Sequence, residues 1–101
     1  MNEEPVTWLV REVRDLLDAS SVGLYEFIWL LRGCQPEITF EDGRRVAELA
    51  LRQLLRGGGG RLILLTWPSQ DSNGDADPEA LDESDWYDPT ADRPYVALAR
   101  N

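Results

Sequence analysis

Apolar residues recur along the first part of the chain at helical spacing. Val6, Leu9, Val10, Val13, Leu16 and Leu17 fall at i, i+3, i+4 and i+7, so the segment from Pro5 to Asp18 predicts a helix with one buried stripe. Pro5 suits a first-turn position, and Glu3 and Glu4 stand where the positive end of a helix dipole favours acids. After the polar break Ala19-Ser20-Ser21, either serine is placed to cap a second helix through Leu24, Tyr25, Phe27, Ile28, Trp29, Leu30 and Leu31, with Gly33 as its expected C′ residue. That helix is apolar nearly all round. It predicts the centre of the core, with Tyr25 and Trp29 each needing a partner for a polar edge.

Cys34-Gln35-Pro36 leads into Glu37-Ile38-Thr39-Phe40, a stretch expected to be briefly extended. Thr39 followed by Asp42 resembles a capping box with Asp in place of Glu, which predicts a third helix to about Arg56. Its buried stripe would be Val46, Ala47, Ala50, Leu51 and Leu54, leaving Arg45, Glu48, Arg52 and Arg56 on the outward face. Gly57 to Gly60 stop the helix. Two strands are predicted beyond it, Arg61 to Trp67 ended by Pro68, and Tyr95 to Arg100. They should pair and rest on the helices, with any third strand supplied near Ile38. Between them lies a long connection, residues 69–92, with a turn signal at Asn73-Gly74 and one short helical turn at Pro78-Glu79-Ala80-Leu81.

Composition narrows the chemistry. With 101 residues, 43% of them hydrophobic, the chain has the size of one domain spanning residues 1–101. It contains no histidine, which removes Ser-His-Asp and Cys-His catalysis and HExxH zinc sites. All ten basic residues are Arg, which removes Schiff-base and Walker-type lysine chemistry. One Cys excludes an internal disulfide framework and a Cys-rich zinc site, and fits reducing surroundings. The acidic start MNEEPVTW shows no secretory leader, and the apolar stretch Val22 to Leu31 contains Glu26 and is too short to span a bilayer, so a cytoplasmic protein is expected.

The formal charge is −9, unevenly placed. Nine acids and no base lie between positions 71 and 92, whereas Arg44, Arg45, Arg52, Arg56 and Arg61 oppose only Glu48 between 43 and 61. The plain explanation is solubility and mutual screening.

Three helices followed by two strands and a long connection resemble a winged helix-turn-helix domain. The resemblance is one of element order and covers most of the chain. It implies an α+β fold, a three-helix bundle followed by a two- or three-stranded antiparallel β-wing, with a long acidic wing loop at 69–92. It also implies that the third helix is the recognition element, so Arg45, Arg52 and Arg56 become candidates for contact with nucleic acid. Two features depart from the DNA-binding pattern: the link from Gly33 to Thr39 exceeds a tight turn, and the wing is acidic where DNA-reading wings carry Lys or Arg.

The fold's other use is protein contact. A connection of this length that mixes acids with aromatics points to a partner with a basic surface, with Asp82, Glu83, Asp85, Trp86, Tyr87 and Asp88 as the contact residues. Small acidic proteins of this kind include immunity proteins and antitoxins that occlude a basic nuclease site by mimicking phosphate charge. The plainer alternative is that Leu81, Trp86 and Tyr87 fold back onto the helices or sheet. A homodimer formed through the wings is a further alternative.

Other chemistry is set aside. Asp71 to Asp77 has the oxygen ligands of a calcium loop, yet the sixth and twelfth positions hold Ala76 and Asp82 instead of Gly and Glu. The glycine run follows a helix instead of opening one, so it is no phosphate cradle. Cys34 reads as a small half-buried residue with no histidine to activate it. No catalytic residues, metal ligands or cofactor are expected. The reading is a non-enzymatic protein-contact module, with a DNA-binding regulator using the Arg face as the alternative.

Overall fold

The computed structural model describes residues 4–58, 60–69 and 71–100. The first helix, α1 (Pro5–Leu17), begins as expected with proline in its first turn. Glu4 is its N-cap, its carboxylate accepting from Val6 N and Thr7 N at 3.2 Å each. These bonds, that to Val6 foremost, hold the Glu4 carboxyl below its ordinary range. Glu3 lies outside the described residues. The stripe buries Val6, Leu9, Val10, Val13 and Leu17, but Leu16 is 40% exposed, because six positions at this spacing wrap wider than the face α1 presents to its neighbours.

A two-residue strand, β1 (Val22–Gly23), separates α1 from α2 (Leu24–Cys34). It pairs antiparallel with the last strand, β4 (Tyr95–Arg100), in the register Val22 to Leu98 and Gly23 to Ala97. This corrects two expectations. The extra strand comes from Val22, whereas Ile38 sits in a turn closed by its own N–H to Gln35 O at 3.0 Å. The cap of α2 is Gly23 and neither serine, because the sheet holds the backbone extended through Gly23; Glu26 reaches back to accept from Gly23 N at 2.6 Å. At the other end α2 continues through Gly33 to Cys34 and stops at Gln35, whose position before Pro36 disfavours helical backbone.

Helix α3 (Phe40–Arg56) follows the reading closely. Thr39 Oγ1 accepts from Asp42 N at 3.1 Å, and Ala47, Ala50, Leu51 and Leu54 are buried together with Gly43, while Val46 is half-buried. Gly57 caps the helix and Gly58 turns with φ +74°, a conformation glycine adopts without cost; Gly59 lies outside the described residues.

Strand β2 (Gly60–Leu65) then pairs antiparallel with β4 from Gly60–Arg100 to Leu65–Tyr95. It ends at Leu65, two residues earlier than expected. A further strand, β3 (Ser72–Asp75), pairs with β2 where a turn at Asn73-Gly74 was expected. The reversal lies earlier, closed by Thr66 N donating to Asp71 O at 2.9 Å, and Gly74 takes φ +109° beside a register shift between Ile63 and Leu65. The sheet therefore has four antiparallel strands in the order β1-β4-β2-β3, more than the expected two or three. The α+β class stands.

Alternation along β2 and β4 divides the core. Leu62, Val96 and Leu98 join Leu9, Val13, Leu24, Phe27, Leu31 and Leu51 in the cluster between sheet and helices. Leu65, Tyr95 and Ala97 form a second cluster with Tyr25, against which Ile63 and Trp67 lie. Tyr25 stands edge-on to Trp29, Tyr95 and Trp67 with ring centroids 4.9, 5.6 and 6.2 Å away. No described helix is long and apolar enough to cross a membrane.

Candidate functional site

The acidic connection is built into the fold instead of hanging from it. Beyond β3 it forms two 3-10 turns, Pro78–Ala80 and Glu83–Trp86. Each is capped by its own acids. Asp77 Oδ1 accepts from Glu79 N at 2.9 Å. Asp82 Oδ1 accepts from Ser84 N at 2.9 Å and from Ser84 Oγ at 2.5 Å, while Asp82 N donates to Asp85 Oδ2 at 2.8 Å. Hydrogen bonds from the Ser84 hydroxyl and amide hold the Asp82 carboxyl below its usual range. Arg93 Nη2 donates to Ser84 O at 3.0 Å and braces the same turn from the far side.

Trp86 and Tyr87 part company at the end of that turn. Trp86 is 1% exposed and stands edge-on to Phe27 at 5.9 Å, inside the main core. Burial corrects its expected place among the surface contact residues: the ring is part of the core, and Tyr87 is the exposed aromatic of the pair. Leu81, half-buried, packs against the same core. Tyr87, where the 3-10 turn gives way to extended backbone, faces outward: it is 50% exposed and leans on Phe40 with centroids 5.2 Å apart. Asp88 Oδ1 accepts from Trp29 Nε1 at 2.9 Å. Trp29, expected in the core, is 53% exposed, since the side of α2 it occupies is roofed by neither the other helices nor the sheet. Two contacts thus meet at adjacent residues, Trp29 on Asp88 and half-buried Phe40 on Tyr87, with exposed Glu83 and Asp82 nearby in the chain. The sequence reading placed Trp29 in the core and did not count it or Phe40 among the contact residues; for Trp29 the available signal was that a helix apolar all round, near the edge of so small a domain, must show one side.

The arginines of α3 divide. Arg45 stands 3.8 Å from Asp42, and Arg44 pairs with Glu48 at 2.9 Å. Arg52 and Arg56 make no ion pair among the described residues. With Glu48, Leu51 and Leu55 they line one side of a groove of about 710 Å³, whose other lining is Pro78, Glu79, Leu81 and Trp86. The structure therefore brings Arg52 and Arg56 beside the acidic connection and leaves Arg45 outside that groove. Cys34 is exposed instead of half-buried, because α2 carries it beyond the core.

Compared with known proteins, the chain matches no family model, no curated protein and no solved structure.

Proposed function

We propose that this chain is a non-enzymatic, winged-helix-like module of the cytoplasm that acts by protein contact, docking a basic surface of its partner through Trp29, Tyr87 and the surrounding acids. The observation that carries the reading is the Trp29–Asp88 hydrogen bond, which holds one exposed aromatic against a carboxylate whose chain neighbour, Tyr87, is a second exposed aromatic. Tyr and Trp dominate interface energies, and side chains already held in place lose little freedom on docking. The element order and the antiparallel β2–β4 pair support the winged-helix part of the reading. The acid excess over residues 71–92 supports a basic partner, in the manner of an immunity protein or antitoxin. The single exposed thiol is in keeping with a reducing compartment.

DNA binding through α3 is the weaker reading. A duplex laid on Arg52 and Arg56 would meet Glu79 in the same groove and the uncompensated acids beyond it.

Cross-linking in the source cell tests the proposal. One protein recovered with the wild type, and lost with Trp29→Ala/Tyr87→Ala or with Glu83→Arg, supports it; both variants should retain the wild-type circular dichroism spectrum. Equal recovery with the variants overturns it. Salt-sensitive binding of mixed duplex DNA, lost in Arg45→Ala/Arg52→Ala/Arg56→Ala, would establish the regulator instead. Sedimentation of the purified chain exposes a homodimer using the same patch.

A further inference from the structure

We propose that the groove between α3 and the first 3-10 turn is a binding site for a small organic monoanion, a carboxylate carried on an apolar body. Its volume, about 710 Å³, lies in the range of small-molecule sites, roughly 300–1,000 Å³. Arg52 and Arg56 lie one helical turn apart, so their side chains are neighbours on the same face. Neither makes an ion pair among the described residues. Guanidinium groups offer a planar fork of donors that matches the two oxygens of a carboxylate.

Charge selects the valence of the occupant. Glu48 is already neutralised by Arg44 at 2.9 Å. The groove then holds two arginines against Glu79, an excess of one positive charge that a single carboxylate balances and a dianion overshoots. Leucines 51, 55 and 81 supply the apolar surface for the rest of the molecule.

A second, independent observation concerns Trp86, which belongs to the same lining. Its indole Nε1 is buried and has no hydrogen-bond partner among the described residues. Buried donors in folded proteins are almost always satisfied, so a leftover one beside a groove marks a place where a bound group can supply the acceptor. The nitrogen lies behind the lining with no exposed surface, so a carboxylate oxygen drawn in by the arginines supplies the acceptor only as the lining side chains part. The site shares no residue with the Trp29–Tyr87 patch, so it stands or falls separately from the protein-contact reading.

Titration of the nitrogen-labelled chain with phenylbutyrate, followed by the indole N–H resonances, tests the site. The Trp86 resonance is identified by its absence in Trp86→Phe. It is expected to shift saturably with the acid. Phenylbutyramide, equal in shape and uncharged, should bind roughly tenfold more weakly or worse, and so should the acid to Arg52→Gln/Arg56→Gln. Those two side chains are exposed, so the double variant keeps its fold, checked by an unchanged thermal transition. No shift of the Trp86 resonance up to the solubility limit overturns the proposal, as does equal affinity for acid and amide or undiminished binding to the double variant.

Discussion

Trp29 on α2 and Asp88, 59 positions later in the chain, are joined by a hydrogen bond of 2.9 Å from the indole nitrogen to the carboxylate. The bond is exposed, so it contributes little to overall stability, about 0.5–1.5 kcal/mol. Its effect is local. Trp29→Phe keeps a ring on Tyr25 and removes the donor, so the global unfolding free energy should fall by no more than that amount while amide exchange over residues 85–88 accelerates. Unchanged exchange there would show that Trp86 alone anchors the segment.

Trp86 is the deeper anchor. Trp86→Ala should destabilise the fold by about 3–5 kcal/mol, read from urea unfolding, because it empties the space against Phe27. Trp86→Phe should cost less than about 2 kcal/mol, since the smaller ring still fills most of that space and the unpartnered N–H disappears with the indole. A phenylalanine variant as unstable as the alanine one would contradict this account of the site.

Two glycines should answer to alanine with opposite signs. At Gly60, the first residue of β2 and paired with Arg100, a Cβ would lie 2.8 Å from Leu98 Cδ1 and 3.0 Å from the Ala99 carbonyl oxygen. Gly60→Ala should cost about 1–3 kcal/mol. Gly33 sits in the last turn of α2 with nothing within 4 Å of the added carbon, so Gly33→Ala should stabilise by about 0.5–1 kcal/mol. Thermal melts of the two variants, displaced in opposite directions from the wild type, check both.

Alkaline pH should weaken the second cluster. Burial, then the nearby charges of Glu26, Tyr95 and Asp88, push the Tyr25 hydroxyl up to about 12 from its ordinary 10. Tyr95 is raised in the same direction, by burial first and Glu26 second. A phenol whose folded value exceeds its unfolded one favours the fold fully below pH 10, and that contribution is lost as pH rises from about 10 toward 12. Tyr25→Phe cannot ionise at that position, so its stability relative to wild type should rise across this window. Parallel stability profiles for the two proteins would contradict the assignment.

The helices were legible because their signals are local. Pro5 in the first turn, the Thr39 cap and the α3 stripe each depend on residues within a few positions, and each stands in the structure. The strand at Val22–Gly23 was not legible: two residues carry no periodicity, and their state is decided by Leu98 and Ala97 at the other end of the chain. Trp86 and Tyr87 are adjacent aromatics in the same acidic setting, so composition could not say which turns inward; the Asp82–Ser84–Asp85 bonds that wind the turn decide it. Arg45, Arg52 and Arg56 look equivalent on a helical projection. They differ because Arg45 has Asp42 within its own helix turn, whereas the connection returns beside Arg52 and Arg56.

The place of β4 in the sheet has a consequence for how the chain comes off the ribosome. Residues 95–100 occupy an interior position, flanked by β1 on one side and β2 on the other, although they are synthesised after β1, β2 and β3. Until they emerge, Val22–Gly23 has no ladder to join and the nascent helices expose the berth that Val96 and Leu98 will fill. Closure of the molecule is therefore a late, long-range event, and a stop codon ahead of Tyr95 would release a chain with greasy surface uncovered and every prospect of degradation.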